Sequence, residues 1–271
     1  MTKVKKRPCI LSPSGLAILK SFSDDSTLFT FDLDGTLAPI MKDPSMIVIP
    51  DEVREKMARL STVANIAILT GRARDDARSH LGFDPLFIIG NHGAEGIPGW
   101  EDREQGFADL CRGWEDQLTT LLPHASPDGI VIENKGASLS IHYRNTSKPK
   151  VTYRDILRAV QHLSPTPRRI PGKCVENILP EDSLNKGEAL LQIMRHAGAS
   201  KAVFVGDDDT DEDVFRMKHE RILGIRVGDG LPSEANYCLC DQKQIDLLLD
   251  AILCALTKNL CVDTFGKLCN L

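Results

Sequence analysis

Residues 31–40 read FDLDGTLAPI, so Asp32 and Asp34 stand one residue apart just after the apolar run 28–31. Two carboxylates this close repel, and holding both ionised requires a cation, a proton or both. A divalent metal and a nucleophilic role for one carboxylate meet that demand, because an aspartate can attack a phosphoryl group and carry it covalently. By itself an Asp-x-Asp beside a glycine is an ordinary turn former, so the other parts of such a site must be sought elsewhere. Residues 203–215, VFVGDDDTDEDVF, supply the strongest of them. Asp207, Asp208, Asp209, Asp211 and Glu212 crowd together after an apolar strand-like run and Gly206. Carboxylate oxygens are the ligands Mg²⁺ prefers, with waters and phosphate oxygens completing its shell. The pattern points to phosphoryl transfer through an aspartyl-phosphate at an oxygen-rich cation site.

Two further residues fit that chemistry. Thr70 ends an apolar run just before a helical segment, where its hydroxyl and free amides at a helix start can hold a phosphate oxygen. Lys186 opens a later helix in NKGE (185–188), and its ammonium can neutralise phosphate and nucleophile together. Taken singly, the one is a common turn and the other a common surface charge.

The elements that must position these residues alternate along the chain. After the run at 28–31, helical spacing at 51–60 leads to a β-like run at 64–69, a charged helix ending at 81 and an apolar run at 86–89. The pattern resumes with a helix at 186–197, a strand at 202–205, a helix at 211–219, a strand at 221–227 and a closing helix at 243–256. Such alternation predicts an α/β fold, a doubly wound parallel sheet with helices on both faces. Chemistry in such sheets gathers beyond the carboxyl ends of the strands, where Asp32, Thr70 and Asp207 all fall. From 102 to 182 the character changes to helices at 104–122 and 151–163 and strands within 129–144 and 168–177, predicting an inserted α+β cap. The expected division is core 1–101, cap 102–182, and core with C-terminal helix and tail 183–271.

With 271 residues, 42% of them hydrophobic, the chain can bury a sizeable core, and its net charge of −5 argues against nucleic-acid or anionic-membrane partners. No stretch reaches membrane-span length. The basic start (Lys3, Lys5, Lys6, Arg7) is followed by a stretch broken at Pro8, Ser12, Pro13 and Ser14, which reads as mature protein rather than a signal peptide. None of the eight cysteines has the Cys-x-x-Cys spacing of a structural zinc site, and free thiols in a reducing cytoplasm are expected.

The four pieces, Asp32/Asp34, Thr70, Lys186 and Asp207/Asp208/Asp211, occur in the order of the four motifs of the haloacid dehalogenase (HAD) superfamily of phosphatases. The extension Leu37-Ala38-Pro39-Ile40 resembles the trehalose-6-phosphate phosphatase branch. So do GNHGAE (90–95), ENKG (133–136) with HYR (142–144), and GKCVENILP (172–180). The resemblance implies a HAD-like core with a cap and makes Asp32 nucleophile and metal ligand. Asp34 becomes the general acid/base that also offers its carbonyl to Mg²⁺. It assigns phosphate binding to Thr70 and Lys186, and the metal shell to Asp207, Asp208 and Asp211. Gly71, Arg72, Asn91, His92, Gly93, Glu133, Lys135, His142, Arg144 and Asn177 become the expected substrate contacts. On a period-two strand Glu133 and Lys135 share a face. The chain departs from the branch at Asn177 and Leu179, where a Glu and a basic residue are usual, and Glu176 would point to the opposite face. The implied reaction is Mg²⁺-dependent hydrolysis of trehalose 6-phosphate, a small-molecule sugar phosphate, with a trehalose-phosphate synthase as functional partner. Sucrose-phosphate or mannosylglycerate-phosphate phosphatases are the nearest alternatives, a phosphomannomutase a more distant one. A non-catalytic sugar-phosphate-binding subunit is the alternative outside enzymes.

Overall fold

The computed structural model describes residues 7–41, 43–122, 129–228 and 232–257. Along the chain the first elements are α1 (Pro13–Phe22), β1 (Thr27–Phe31), α2 (Asp51–Ser61), β2 (Asn65–Leu69), α3 (Arg74–Leu81) and β3 (Phe87–Ile89). There follow α4 (Glu101–Leu121), β4 (Val131–Asn134), β5 (Leu139–His142), α5 (Pro149–Gln161), β6 (Arg168–Gly172) and β7 (Val175–Leu179). The chain continues with α6 (Lys186–His196), β8 (Lys201–Gly206), α7 (Glu212–Phe215), β9 (Ile222–Val227), β10 (Tyr237–Leu239) and α8 (Ile245–Thr257). They fall into two units, one of Met1–Leu69, Arg78–Ile88 and Leu190–Leu271, the other of Thr70–Ala77 and Ile89–Ala189.

The first unit is built on a six-stranded sheet of order β10-β9-β8-β1-β2-β3. The pairs β1–β2, β1–β8, β8–β9 and β9–β10 are parallel. Every residue of β1 and β9 is buried, as a strand covered on both faces requires. This is the doubly wound sheet the sequence predicts. Its order reverses between β1 and β8, so the crevice beyond their carboxyl ends is where such a sheet accepts a ligand. Asp32 immediately follows β1 and Asp207 immediately follows β8.

The helices differ in detail from the expectation. Ser12 and Pro13, which break the apolar stretch on paper, start α1: the Ser12 hydroxyl accepts the Gly15 N–H at 3.2 Å, and Pro13 occupies the first turn, where no donor is needed. The predicted helix at 211–219 is only the single turn Glu212–Phe215, because Lys218 turns the chain at φ +46°. A capping box between Asp241 and Gln244 leads into α8, whose apolar face packs on α1 and α2.

The second unit contains a four-stranded antiparallel sheet, β4-β5-β7-β6. Leu139, Ile141 and Ile178 on one face pack against Trp114 and Leu118 of α4 and Ile156 and Val160 of α5. Paired residues share a face, so the register Glu133↔Ser140 and Ser140↔Asn177 puts these three side chains, with His142, on the face away from the helices. Glu176 lies on the helix face, buried, its Oε1 accepting Arg169 Nε at 2.7 Å.

Candidate active site

In the first unit the Asp32 N–H donates to Val205 O at 2.9 Å, so β1 and β8 stay in register up to the point where both chains leave the sheet. The chain then folds back tightly, with Gly35 N–H donating to Ala38 O at 2.7 Å and Ala38 N–H to Leu33 O at 3.0 Å. Gly35 adopts φ +83°, and a Cβ there would sit 2.2 Å from Asp207 Oδ2. Both facts call for glycine. Thr36, fully buried, donates to Asp207 Oδ1 at 3.2 Å, while Gln242 Nε2 fixes the Thr36 carbonyl at 3.0 Å.

The acidic loop after β8 sorts its own carboxylates. One oxygen from each of Asp32, Asp207 and Asp211 lies within 4.8 Å of the others, and Asp32 and Asp211 are buried. Three carboxylates held this close favour a shared cation, and an all-oxygen donor set suits a hard divalent one. The residues therefore fit the metal that the acidic motifs imply. Asp208 lies outside the trio: its Oδ1 accepts Thr210 N–H at 2.8 Å, Thr210 Oγ1 at 2.7 Å and Asp211 N–H at 3.0 Å, shaping the loop. The carboxylate of Asp34, half-buried, is also outside it. Arg226 and Glu212, both buried, form an ion pair of 2.9 Å under the loop. Arg226 and Thr36 did not stand out as functional in the sequence, and Glu212 did so only as one member of the acidic cluster. The available signal was an arginine in the otherwise apolar strand ILGIRV.

In the second unit Thr70 is buried, with its N–H on Ile89 O at 2.9 Å and its hydroxyl accepting Arg72 N–H at 3.3 Å. Helix α3 begins four residues later, at Arg74, so the loop 70–73 separates Thr70 from the helix-start amides expected beside it. The loop at 90–93 is stitched to it: Asn91 N–H donates to Arg72 O at 2.7 Å and His92 N–H to Thr70 O at 2.9 Å. Asn91, His92 and Gly93 all have positive φ (49°, 58°, 113°), and the His92 ring packs where a Gly71 Cβ would be, 2.3 Å away. A Cβ added at Gly93 would sit 2.8 Å from the Leu184 carbonyl oxygen. Arg72 Nη1 pairs with Asp76 at 2.8 Å.

Asn91 is fully buried, and its side chain serves as a strut. Nδ2 donates to Glu95 Oε2 at 2.9 Å and Lys135 O at 3.0 Å, and Oδ1 accepts Ser138 Oγ at 2.6 Å. Burial pushes the Glu95 carboxyl above its usual range despite the bonds from Arg74 N–H and Asn91. Lys186, 1% exposed, opens α6, whose start is capped by the reciprocal Asn185 and Glu188 pair at 2.9 and 3.0 Å.

On the face of the four-stranded sheet away from its helices, Glu133 Oε2 lies 2.8 Å from His142 Nε2 and 3.7 Å from Lys135 Nζ. The His142 bond holds the Glu133 carboxyl below its ordinary range; burial opposes this, and the charge of Lys135 adds to it. Asn177 accepts Ser140 Oγ at 2.6 Å and donates to Ile170 O at 3.2 Å. Arg144 is exposed beyond β5 and reaches Lys173 O at 3.3 Å.

A parallel doubly wound core with an aspartate trio at its switch point, and a second unit bearing its own antiparallel sheet, define a phosphatase of the HAD type. Residues 30–236 match the trehalose-phosphatase family model. A probable trehalose-phosphate phosphatase 9 of Oryza sativa subsp. japonica is 29% identical over 260 residues, spanning 83% of this chain and 69% of that protein. The trehalose-6-phosphate phosphatase of Escherichia coli is 30% identical over 234 residues, spanning 83% and 86%. The C-terminal domain of the C. albicans trehalose-6-phosphate phosphatase superposes with a TM-score of 0.71 over 93% of this chain and 99% of that one; at 21% identity the likeness is one of fold. The chain belongs to the trehalose-phosphatase family.

Proposed function

We propose that this chain hydrolyses trehalose 6-phosphate to trehalose and inorganic phosphate, with Mg²⁺ as its cation. The observation that carries this reading is the convergence of Asp32, Asp207 and Asp211 at the ends of β1 and β8 in a chain whose family match spans the same residues. The relatives named above act on this phosphate ester by name, and a trehalose-phosphate synthase would supply it.

In the proposed reaction an Asp32 oxygen attacks phosphorus while the ester bond to the sugar breaks, and Asp34 donates a proton to the departing sugar oxygen. Asp34 then takes a proton from the water that attacks the aspartyl-phosphate, releasing phosphate and restoring Asp32. Asp32, Asp207 and Asp211, with the Asp34 carbonyl, would hold the metal, which when bound would supply charge neutralisation for the transferring group. Motif order assigns Thr70 and Lys186 to the phosphate. Asp208 serves by shaping the loop through its bonds to Thr210 and Asp211. Residues 102–182 are taken as the cap. In this reading its Glu133, Lys135, His142, Arg144 and Asn177, with Gly71, Arg72, His92 and Gly93, are the substrate contacts. Asn91 supports them from within. A cytoplasmic setting fits the free thiols of Cys9, Cys111, Cys174, Cys238 and Cys240; among the described residues no helix is long and apolar enough to cross a membrane.

A phosphate-release panel tests the reading. With Mg²⁺ present, trehalose 6-phosphate should exceed sucrose 6-phosphate, glucose 6-phosphate and mannosylglycerate phosphate in kcat/KM. Preference for any of the others would reassign the substrate, and no release from any of them would return the chain to a binding role.

A further inference from the structure

Arg226 lies in β9 directly beside Gly206, the last residue of β8. It is 3% exposed. Burying a guanidinium is costly, and a buried ion pair seldom repays that cost in stability alone, so its other bonds need a reason. Nη2 donates to the Asp207 carbonyl at 2.6 Å, and Nη1 to the Asp208 carbonyl at 3.2 Å and to Glu212 Oε1 at 2.9 Å. Glu212 is anchored in turn, its Oε2 accepting the Glu234 N–H at 3.0 Å.

The Asp207 carbonyl and the Asp208 N–H belong to one peptide unit, which is planar and trans, so they point in opposite directions and turn together. On its far side that N–H donates to Asp211 Oδ2 at 2.9 Å. One rigid plate thus has the guanidinium on one edge and a carboxylate of the trio on the other. Rotating it would break both bonds, swing the Asp211 carboxylate free and re-aim Asp207, which leaves the same plate. Glu212 cancels the charge of Arg226, so the anchor orients the loop without adding net positive charge beside a cation.

We propose that Arg226 is a positioning residue for the cation site: through the 207–208 peptide it sets two of the three carboxylates before the metal arrives. This rests on the reading of Asp32, Asp207 and Asp211 as cation ligands. Arginine is required because its fork reaches two carbonyls and a carboxylate at once, and a lysine ammonium cannot span all three.

The test is calorimetric titration of the full metal-free chain with Mn²⁺, for wild type, Arg226→Lys, Arg226→Met and Leu248→Ala. Leu248 is a fully buried residue of α8 remote in sequence from the loop, and its truncation should destabilise the fold without removing any of the loop's hydrogen bonds. Melting temperatures place the variants on one stability scale. Arg226→Met should weaken Mn²⁺ binding by tenfold or more and Arg226→Lys by an intermediate factor, while Leu248→Ala lowers the melting temperature and binds Mn²⁺ as wild type does. At saturating Mg²⁺, Arg226→Lys should recover much of its kcat. If Arg226→Met does not fold, Arg226→Lys decides. Binding by Arg226→Lys within twofold of wild type, or an equal loss in Leu248→Ala, overturns the proposal. Failure of wild type to bind Mn²⁺ would instead overturn the cation reading beneath it.

Discussion

Gly206→Ala should disable the cation site while leaving the fold in place. Gly206 closes β8, and a Cβ added there would meet Asp211 Cγ and Oδ2 at 2.3 Å. Reaching the 3.4 Å of an ordinary contact requires the carboxylate to retreat by roughly 1 Å. The backbone adds no strain, because Gly206 is not among the glycines with positive φ. Overpacking of this kind costs about 1–3 kcal/mol, against a domain stability of about 5–15 kcal/mol, so the variant should remain folded. A displacement of about 1 Å at a reacting site costs on the order of a hundredfold in rate, equivalent to about 2.7 kcal/mol. The assay is phosphate release from trehalose 6-phosphate across a Mg²⁺ titration, with thermal unfolding measured alongside. The expected result is a roughly hundredfold fall in kcat/KM at low Mg²⁺ and a right-shifted Mg²⁺ activation curve, with a cooperative melt retained. An activation curve within twofold of wild type would refute the placement of Asp211 in the cation shell. Gly35→Ala should be worse, since its clash with Asp207 is joined by a left-handed backbone costing about 1–2 kcal/mol.

Other expectations concern the unit that carries the antiparallel sheet. Glu133→Ala and Lys135→Ala should each lower kcat/KM for trehalose 6-phosphate by about tenfold or more, and change hydrolysis of a small aryl phosphate much less; equal losses on both would remove sugar recognition from the pair. Because the His142 bond is the main cause of the lowered Glu133 pKa, that pair adds stability above the ordinary carboxylate range and loses it as pH falls through the lowered value. His142→Ala should raise the Glu133 titration seen by carboxyl-carbon NMR, and an unmoved titration would contradict the assignment of cause. Glu95 has the opposite sign: burial raises its pKa, so the fold loses stability as pH rises from the ordinary carboxylate value through the raised one. Glu95→Gln should flatten that decline in urea melts across pH, and an unchanged slope would speak against a desolvated carboxylate there.

The sheet was legible because both its halves are long apolar runs alternating with amphipathic helices. That the site lies beyond the strands' carboxyl ends followed from the two acidic strings at strand ends, while the strand order that makes this a switch point is seen only in the structure. What stayed hidden was decided by tertiary hydrogen bonds. Composition marks the loop at 207–212 as acidic but cannot say which carboxylates converge. That choice is made by Thr210 and Asp211 N–H groups occupying Asp208, and by the Arg226 guanidinium beneath. Arg226 itself is distant in sequence, and a period-based reading of β9 treats it as one polar residue in a strand. Asn91 looks like a sugar ligand in a polar, glycine-flanked string, yet its side chain is bonded to Glu95 and to Lys135 and Ser138, the latter two more than forty residues away. On paper Ser12 and Pro13 read as breaks in an apolar stretch, because their part in starting α1, Ser12 as cap and Pro13 in the first turn, shows only when that turn is seen.

The claim at the centre of this account is that the phosphoryl group passes through Asp32. It is tested most directly by mixing enzyme with trehalose 6-phosphate labelled at phosphorus, quenching in acid within a turnover, and mapping the labelled peptide. Label should appear on the peptide containing Asp32, accumulate in Asp34→Asn, where hydrolysis of the intermediate lacks its base, and be absent from Asp32→Asn, which should release no phosphate. Steady release of phosphate by Asp32→Asn, or turnover by wild type with no label ever on Asp32, would contradict it.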